Sequence, residues 1–260
     1  MTVDRRAADG FTGGADAYRR ARPTYPMAVV DEVVRVGGLA ADARVLDLAA
    51  GTGKLTALLA APDLGLEVVA VEPVAAMREF LEETCPGVVA LDGTAEAIPA
   101  ADGTYDAVTV AQAFHWFDPA TALREIHRVL RPGGLLALLW NTRDVRVPWV
   151  AAWDQLLIDA TPTHPFLAYR DVDYGAVIAA SPGFEPATCW TSDWTQPFDA
   201  ELLVARAASV SVVATLPELE RDALLADVRR LALHHPDLAG APTFDFPYVT
   251  TLWWARTEGS

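Results

Sequence analysis

The residues with the most chemical character lie in one short run, Val45-Leu46-Asp47-Leu48-Ala49-Ala50-Gly51-Thr52-Gly53-Lys54. An apolar strand pattern ends near an acid and enters a glycine turn that opens a helix. Glycine lets the backbone approach a ligand closely, and the first N–H groups of a helix have no partner within it. Three chemistries use such a turn. A phosphate loop of the form G-x-x-x-x-G-K-[ST] requires glycine where this chain has Leu48 and a hydroxyl where it has Leu55, so that reading fails. A dinucleotide turn, G-x-G-x-x-G, finds Gly51 and Gly53 but has Thr56 in the third place. Asp47, four residues ahead of Gly51, also sets a negative charge where a pyrophosphate would lie. The same carboxylate attracts a cation, so an aminoacyl sulfonium, with its ammonium and sulfonium, suits this turn better.

Two further positions carry chemistry. Glu72 ends the next apolar run, ~20 residues past the turn, where a carboxylate can accept both hydroxyls of a ribose. Alone it would read as a strand-end capping carboxylate; with Asp47 and the turn it reads as a ribose ligand. His115 follows a third apolar run, within Gln112-Ala113-Phe114-His115-Trp116-Phe117. An imidazole there can deprotonate an attacking oxygen or nitrogen, and the Trp116 ring can face a cation. The alternative is an aromatic cluster of Phe114, Trp116 and Phe117 with His115 packed inside it.

These residues must be positioned by alternating strands and helices. Apolar runs at Val45–Leu48, Val68–Val71, Val88–Leu91, Tyr105–Val110 and Leu135–Trp140 predict strands, with helices near 54–61, 74–83 and 119–130 between them. In the last helix Asp118 can cap, Pro119 fits the first turn, and Leu123, Ile126 and Leu130 recur at helical spacing. Arg131-Pro132-Gly133-Gly134 should stop it and turn the chain. Upstream, Pro26 to Gly37-Gly38 predicts another helix. Downstream, helices are expected near 147–159, 172–180 and 217–234, and strands near 187–195 and 247–254. The expected organisation is one domain: an N-terminal lid over 1–40, a core over 41–141, a helical insertion over 142–185 acting as a cap, and C-terminal strands and helices over 186–260.

Length and composition bound the function. The chain has 260 residues, is 52% hydrophobic, and carries 20 Lys plus Arg against 35 Asp plus Glu, a net charge of −15. That balance argues against a broad nucleic-acid or membrane footprint. The two cysteines, Cys85 and Cys189, form neither a disulfide framework nor a zinc signature, so no metal is expected. The first ten residues have no signal core, and no run approaches the ~18 apolar residues of a membrane span. A soluble, cytoplasmic protein is the expectation.

With these residues in view, the chain resembles a class I S-adenosylmethionine-dependent methyltransferase, and most closely the small-molecule group that includes trans-aconitate-type enzymes. Five blocks in order carry the resemblance. They are Ala17-Tyr18-Arg19-Arg20-Ala21-Arg22-Pro23-Thr24-Tyr25-Pro26, Asp47–Gly53 with Glu72, Gly93-Thr94-Ala95-Glu96-Ala97-Ile98-Pro99, Gln112–Phe117, and Arg131–Gly134. The resemblance implies a Rossmann-like, doubly wound α/β fold with a seven-stranded sheet, mostly parallel with an antiparallel last strand. It implies that S-adenosyl-L-methionine is the cofactor and a small molecule the methyl acceptor.

The resemblance also assigns roles. Asp47, Ala49, Gly51, Thr52 and Gly53 surround the methionyl part, Glu72 takes the ribose, and Pro73 lies against the adenine. Thr94, Ala95 and Glu96 form the adenine rim, and Ala111 and Gln112 present a carbonyl to the ammonium. Tyr18, Arg22 and Tyr25 form a lid, with Tyr18 or Arg22 reaching the cofactor carboxylate or an acidic substrate. Tyr25, Phe114, His115, Trp116 and Trp140 line the acceptor side, with His115 the candidate proton acceptor. His164, Tyr169 and Arg170 are further candidates for acceptor contact in the insertion. Ala49 replaces the family's first glycine and asks for an ordinary φ there, and Thr94 stands where Asp is common. Two rivals share the sheet: a non-catalytic S-adenosylmethionine-binding module and, less favoured by Asp47 and Thr56, a dinucleotide-dependent oxidoreductase.

Overall fold

The computed structural model describes residues 21–162 and 168–259. Tyr18 and His164 lie outside the described residues. The strands are β1 (Arg44–Leu48), β2 (Glu67–Val71), β3 (Val89–Leu91), β4 (Tyr105–Ala111), β5 (Leu130–Arg143), β6 (Thr188–Phe198) and β7 (Phe244–Arg256). They form one sheet in the order β3-β2-β1-β4-β5-β7-β6. β1 pairs in parallel with β2 and with β4, β2 with β3, and β4 with β5. β7 runs against β5: Thr257 donates to Gly134 at one end, and Asp144 donates to Pro247 at the other. The sheet is thus the expected one, parallel except for its last strand. Strand order reverses between β1 and β4, and a ligand crevice forms at the carboxyl ends of strands at such a reversal.

The helices are α1 (Met27–Gly37), α2 (Lys54–Leu59), α3 (Ala75–Thr84), α4 (Pro119–Val129), α5 (Pro148–Ala160), α6 (Tyr174–Ala179), α7 (Ala200–Ala208), α8 (Ser211–Ala214) and α9 (Glu218–His234). α4 begins as the sequence predicts. The Asp118 carboxylate accepts the Thr121 N–H at 2.9 Å and Pro119 occupies the first turn, while Ala122, Leu123, Ile126 and Val129 are buried. Arg131–Gly134 differ from expectation. They lie within β5, beside a register shift against Tyr105 and Ala107, with Gly133 at φ +75°. α7 and α8 had no counterpart in the sequence reading. The Asp199 carboxylate caps α7 by accepting the Leu202 N–H at 2.7 Å.

The chain forms two compact units, each assembled from separate stretches. The first contains Thr24–Asn141, Val172–Ser192 and Thr250–Ser260, and with it the glycine turn. Val29, Val30, Val33, Val45, Leu55, Leu59, Leu135 and Leu252 are among its buried side chains. The second, helical unit contains Thr142–Asp171, Asp193–Val249 and the segment ending at Pro23. Its core is aromatic: Trp153 meets Phe246 edge-on at 5.6 Å, and Phe246 stacks on Tyr248 at 4.8 Å. Two of the unit boundaries fall before Thr142 and after Asp171. Among the described residues, no helix is long and apolar enough to cross a membrane, and no cluster of His, Cys, Asp or Glu is placed to hold a metal.

Candidate active site

The turn after β1 is left-handed at three alternating positions: Ala49 at φ +56°, Gly51 at φ +57° and Gly53 at φ +80°. The expectation of an ordinary φ at Ala49 is therefore corrected. A glycine-type backbone is held there by an alanine, which costs about 1–2 kcal/mol. The two glycines do different work. A Cβ on Gly53 would come within 3.0 Å of Cys85 Sγ and Leu81, so this glycine lets α3 pack against the turn. A Cβ on Gly51 would meet no atom within 4 Å, so its open face is the one that can lie along a ligand.

Two buried carboxylates flank this turn. Asp47 is 1% exposed, and its oxygens accept the Thr56 hydroxyl at 2.6 Å and the Thr109 hydroxyl at 3.0 Å. Burial pushes its carboxyl up to about 6, against the pull of the two hydroxyls. Glu72 is 4% exposed. Its Oε2 accepts the Gly51 N–H and its Oε1 the Val74 N–H, each at 2.9 Å. Burial raises its carboxyl as well, offset in part by those N–H donors. Pro73 sits between Glu72 and Val74, half-buried at the start of α3. The Thr52 carbonyl accepts the Thr84 hydroxyl at 3.2 Å. The backbone of the turn is thereby fixed from both sides.

The loop after β3 folds on itself, with Thr94 bridged to Ala97 and Ala95 buried. Glu96 accepts the Asp118 N–H at 3.1 Å, so it ties this loop to the N-terminus of α4. Ala111 ends β4, half-buried, and Gln112 follows at φ +57°. Gln112 Nε2 donates to the Asn141 carbonyl at 2.9 Å. Asn141 is a bridging position that the sequence reading did not single out. Its Nδ2 donates to the Thr24 carbonyl and its Oδ1 accepts the Thr250 hydroxyl, both at 2.6 Å. One buried amide thus joins the N-terminal segment, the end of β5 and β7, while its own carbonyl holds Gln112. The signal available was a polar residue closing the run Leu135–Trp140.

Phe114, His115 and Trp116 form a short 3-10 turn. Phe114 is buried and packs edge-on against Phe117 at 5.6 Å, whereas Trp116 is 53% exposed. The expected three-ring cluster is therefore a Phe114–Phe117 pair, with Trp116 tilted against His115 at 4.8 Å between ring centroids. Burial lowers the His115 imidazole to about 4. Trp140 is buried and stacks on Tyr174 of α6 at 3.8 Å. Tyr25 is buried in the same core cluster as α1. Arg22 belongs to the helical unit, where its Nη2 donates to the Ser209 carbonyl at 2.7 Å. Tyr169 and Arg170 also lie in the helical unit.

This geometry agrees with known proteins. Residues 46–138 match the methyltransferase-domain family. An uncharacterized methyltransferase of Mycobacterium tuberculosis is 42% identical over 252 residues, covering 96% of this chain and 97% of the relative. The chain belongs to the class I S-adenosylmethionine-dependent methyltransferases. A methyltransferase-like protein of Schizosaccharomyces pombe is 31% identical over 242 residues, covering 93% of each chain. A solved putative methyltransferase from an antibiotic biosynthesis pathway of Anabaena variabilis shares the fold, with TM-score 0.62 and 21% identity over 90% of this chain and 98% of that one. The turn thus sets two buried carboxylates, Asp47 and Glu72, beside an open Gly51 backbone.

Proposed function

We propose that this methyltransferase binds S-adenosyl-L-methionine at the turn after β1 and methylates an oxygen, nitrogen or carbon of a small-molecule acceptor. The observation that carries the reading is Glu72, whose two oxygens are aligned by the N–H groups of Gly51 and Val74 at 2.9 Å. Each oxygen keeps a lone pair for a ribose hydroxyl. Pro73 then lies beside the adenine, with Thr94, Ala95 and Glu96 at its rim. Asp47, buried behind the turn, adds negative charge that favours a cationic ligand over a pyrophosphate. The cofactor supplies an electrophilic methyl group on a positively charged sulfur.

The chain's own contribution is positioning. Gln112 holds its strained backbone through Asn141, and the carbonyls of Ala111 and Gln112 accept the ammonium of the methionyl part. His115 is neutral at physiological pH but, at about 4, a weak base. Alignment and exclusion of water therefore carry the rate, a contribution of ~7 kcal/mol or more. His115 orients the acceptor and takes up a proton only when the acceptor is a hydroxyl or amine. With the chain at −15, the reading places the enzyme in the cytoplasm, working on small molecules without nucleic acid or membrane.

Calorimetric titration with S-adenosylhomocysteine and, separately, NAD tests the cofactor. The expected result is saturable binding of the first alone. Binding of NAD in its place overturns the proposal, as does failure to transfer labelled methyl from S-adenosylmethionine to any member of a broad small-acid, phenol and amine panel.

A further inference from the structure

The pairing of β4 with β5 ends beside the glycine turn's crevice, and the way it ends is specific. Ala111, the last residue of β4, pairs with Leu139, whose carbonyl accepts the Gln112 N–H at 2.8 Å. Gln112 then leaves the sheet at φ +57°. An L-residue keeps such a left-handed backbone only where its surroundings fix it. Two residues further along β5, the Asn141 carbonyl lies past the end of β4, and Gln112 Nε2 supplies its donor at 2.9 Å. Backbone and side chain of Gln112 are thus both fastened to β5, and the turn between them is clamped.

The Asn141 side chain is engaged as fully. Asn141 is 5% exposed and Thr250 is wholly buried. Asn141 Nδ2 donates to the Thr24 carbonyl and Oδ1 accepts the Thr250 hydroxyl, both at 2.6 Å. A carbonyl can only accept, so Thr24 fixes which way the amide points. A buried amide loses its hydration, and partners of this kind are what offset that loss. Thr24 stands just before α1, in the segment that enters it. Thr24, Gln112, Asn141 and Thr250 all belong to the glycine-turn unit.

We propose that Asn141 is a positioning residue that couples the segment entering α1 to the cofactor's ammonium. The contacts run from the Thr24 carbonyl through the Asn141 amide, and then through the Asn141 carbonyl to Gln112. Ala111 and Gln112 carry the carbonyls that take the ammonium, so the proposal rests on the methyl-transfer reading. The ribose and adenine contacts of Glu72 and Pro73 are not members of this chain of contacts. Such a coupling is reciprocal: the ammonium that steadies Gln112 also steadies Thr24.

The test compares S-adenosylhomocysteine with its deaminated analogue, which lacks only the ammonium. Calorimetry gives the two affinities, and hydrogen exchange over residues 24–30 reads the segment. In the wild type, saturating S-adenosylhomocysteine slows that exchange ~3-fold or more beyond the analogue. Asn141→Leu abolishes the difference, weakens S-adenosylhomocysteine ~10-fold and leaves the analogue within about twofold. Thr250→Val removes only the hydroxyl on Oδ1; it moves both readouts the same way and decides the matter should the first variant not fold. Equal weakening of both ligands makes Asn141 a structural residue alone and overturns the proposal. An unchanged affinity ratio overturns it too, as does a wild-type segment that exchanges equally with either ligand. A wild type that binds neither ligand overturns the methyl-transfer reading and this inference with it; the other failures leave that reading standing.

Discussion

Thr56 donates its hydroxyl to Asp47 at 2.6 Å, from the position where a dinucleotide turn carries its third glycine. The departure from the dinucleotide pattern is thus a working contact. The residue that spoils one ligand's turn fixes the carboxylate that suits another's. Its consequences can be measured one residue at a time.

Asp47 sets a pH dependence for cofactor affinity. Its folded-state carboxyl lies at about 6, above the ordinary aspartate value, so the ligand-free site takes up a proton as the pH falls through 6. Glu72 is displaced in the same direction. Both changes remove negative charge from the site. The Kd for S-adenosylmethionine should therefore be flat above pH 7 and rise up to about tenfold per pH unit below 6. Asp47→Asn should bind more weakly at pH 8 and lose most of that slope. Titrations at five pH values check both, and an unchanged slope in the variant removes Asp47 from the account.

Glu72→Ala removes a charged acceptor from the ribose hydroxyls and two supports from the turn. Loss of hydrogen bonds to a charged group costs about 1.5–3 kcal/mol each, so with both ribose hydroxyls affected S-adenosylhomocysteine affinity should fall ~100-fold or more. Glu72→Gln keeps one acceptor and should fall less. Equal affinities for the wild type and both variants would mean that the carboxylate only caps α3.

Ala49→Gly relieves the left-handed strain at φ +56°. Relief of about 1–2 kcal/mol, less the ~0.5–1 kcal/mol entropy penalty of glycine, predicts a small rise in stability. Denaturant midpoints read this directly, and cofactor affinity should stay within twofold. Gly51→Ala, in the same backbone class, should lose stability and cofactor binding together, because its Cβ would occupy the open face of the turn.

His115→Ala should lower turnover while leaving S-adenosylhomocysteine affinity nearly unchanged. Burial holds the imidazole at about 4, so the wild-type rate should show no limb near 6.5 that disappears in the variant. A lost limb at 6.5 would make His115 a conventional base; lost cofactor binding would move it to the other side of the site.

The parallel strands and their crossover helices were legible because each apolar run is short, bounded, and followed by a helical period. Asp47 and Gly51 stood out in the sequence because they share one local motif, and Glu72 because it closes the next apolar run. Other features depend on contacts that local patterns do not encode. Alanine carries no mark of a left-handed backbone, so the strain at Ala49 was invisible. Asn141 meets partners 29, 109 and 117 residues away. His115 looked like a neutral-pH base because burial is not a property of sequence. Arg22 and Arg206 come from opposite ends of the chain, and their common neighbour, Ser209, appears only after folding.

The interleaving of the two units constrains how the protein can be dissected. The polypeptide leaves the glycine-turn unit after Asn141, returns at Val172, departs again after Ser192 and re-enters at Thr250. No single cut liberates either part. A fragment stopping at Asn141 would lose α6, β6 and β7 entirely, and with them the Thr250 hydroxyl that steadies Asn141. Exchanging the helical unit therefore means replacing two internal segments and the stretch before Thr24 together, with five junctions as the seams.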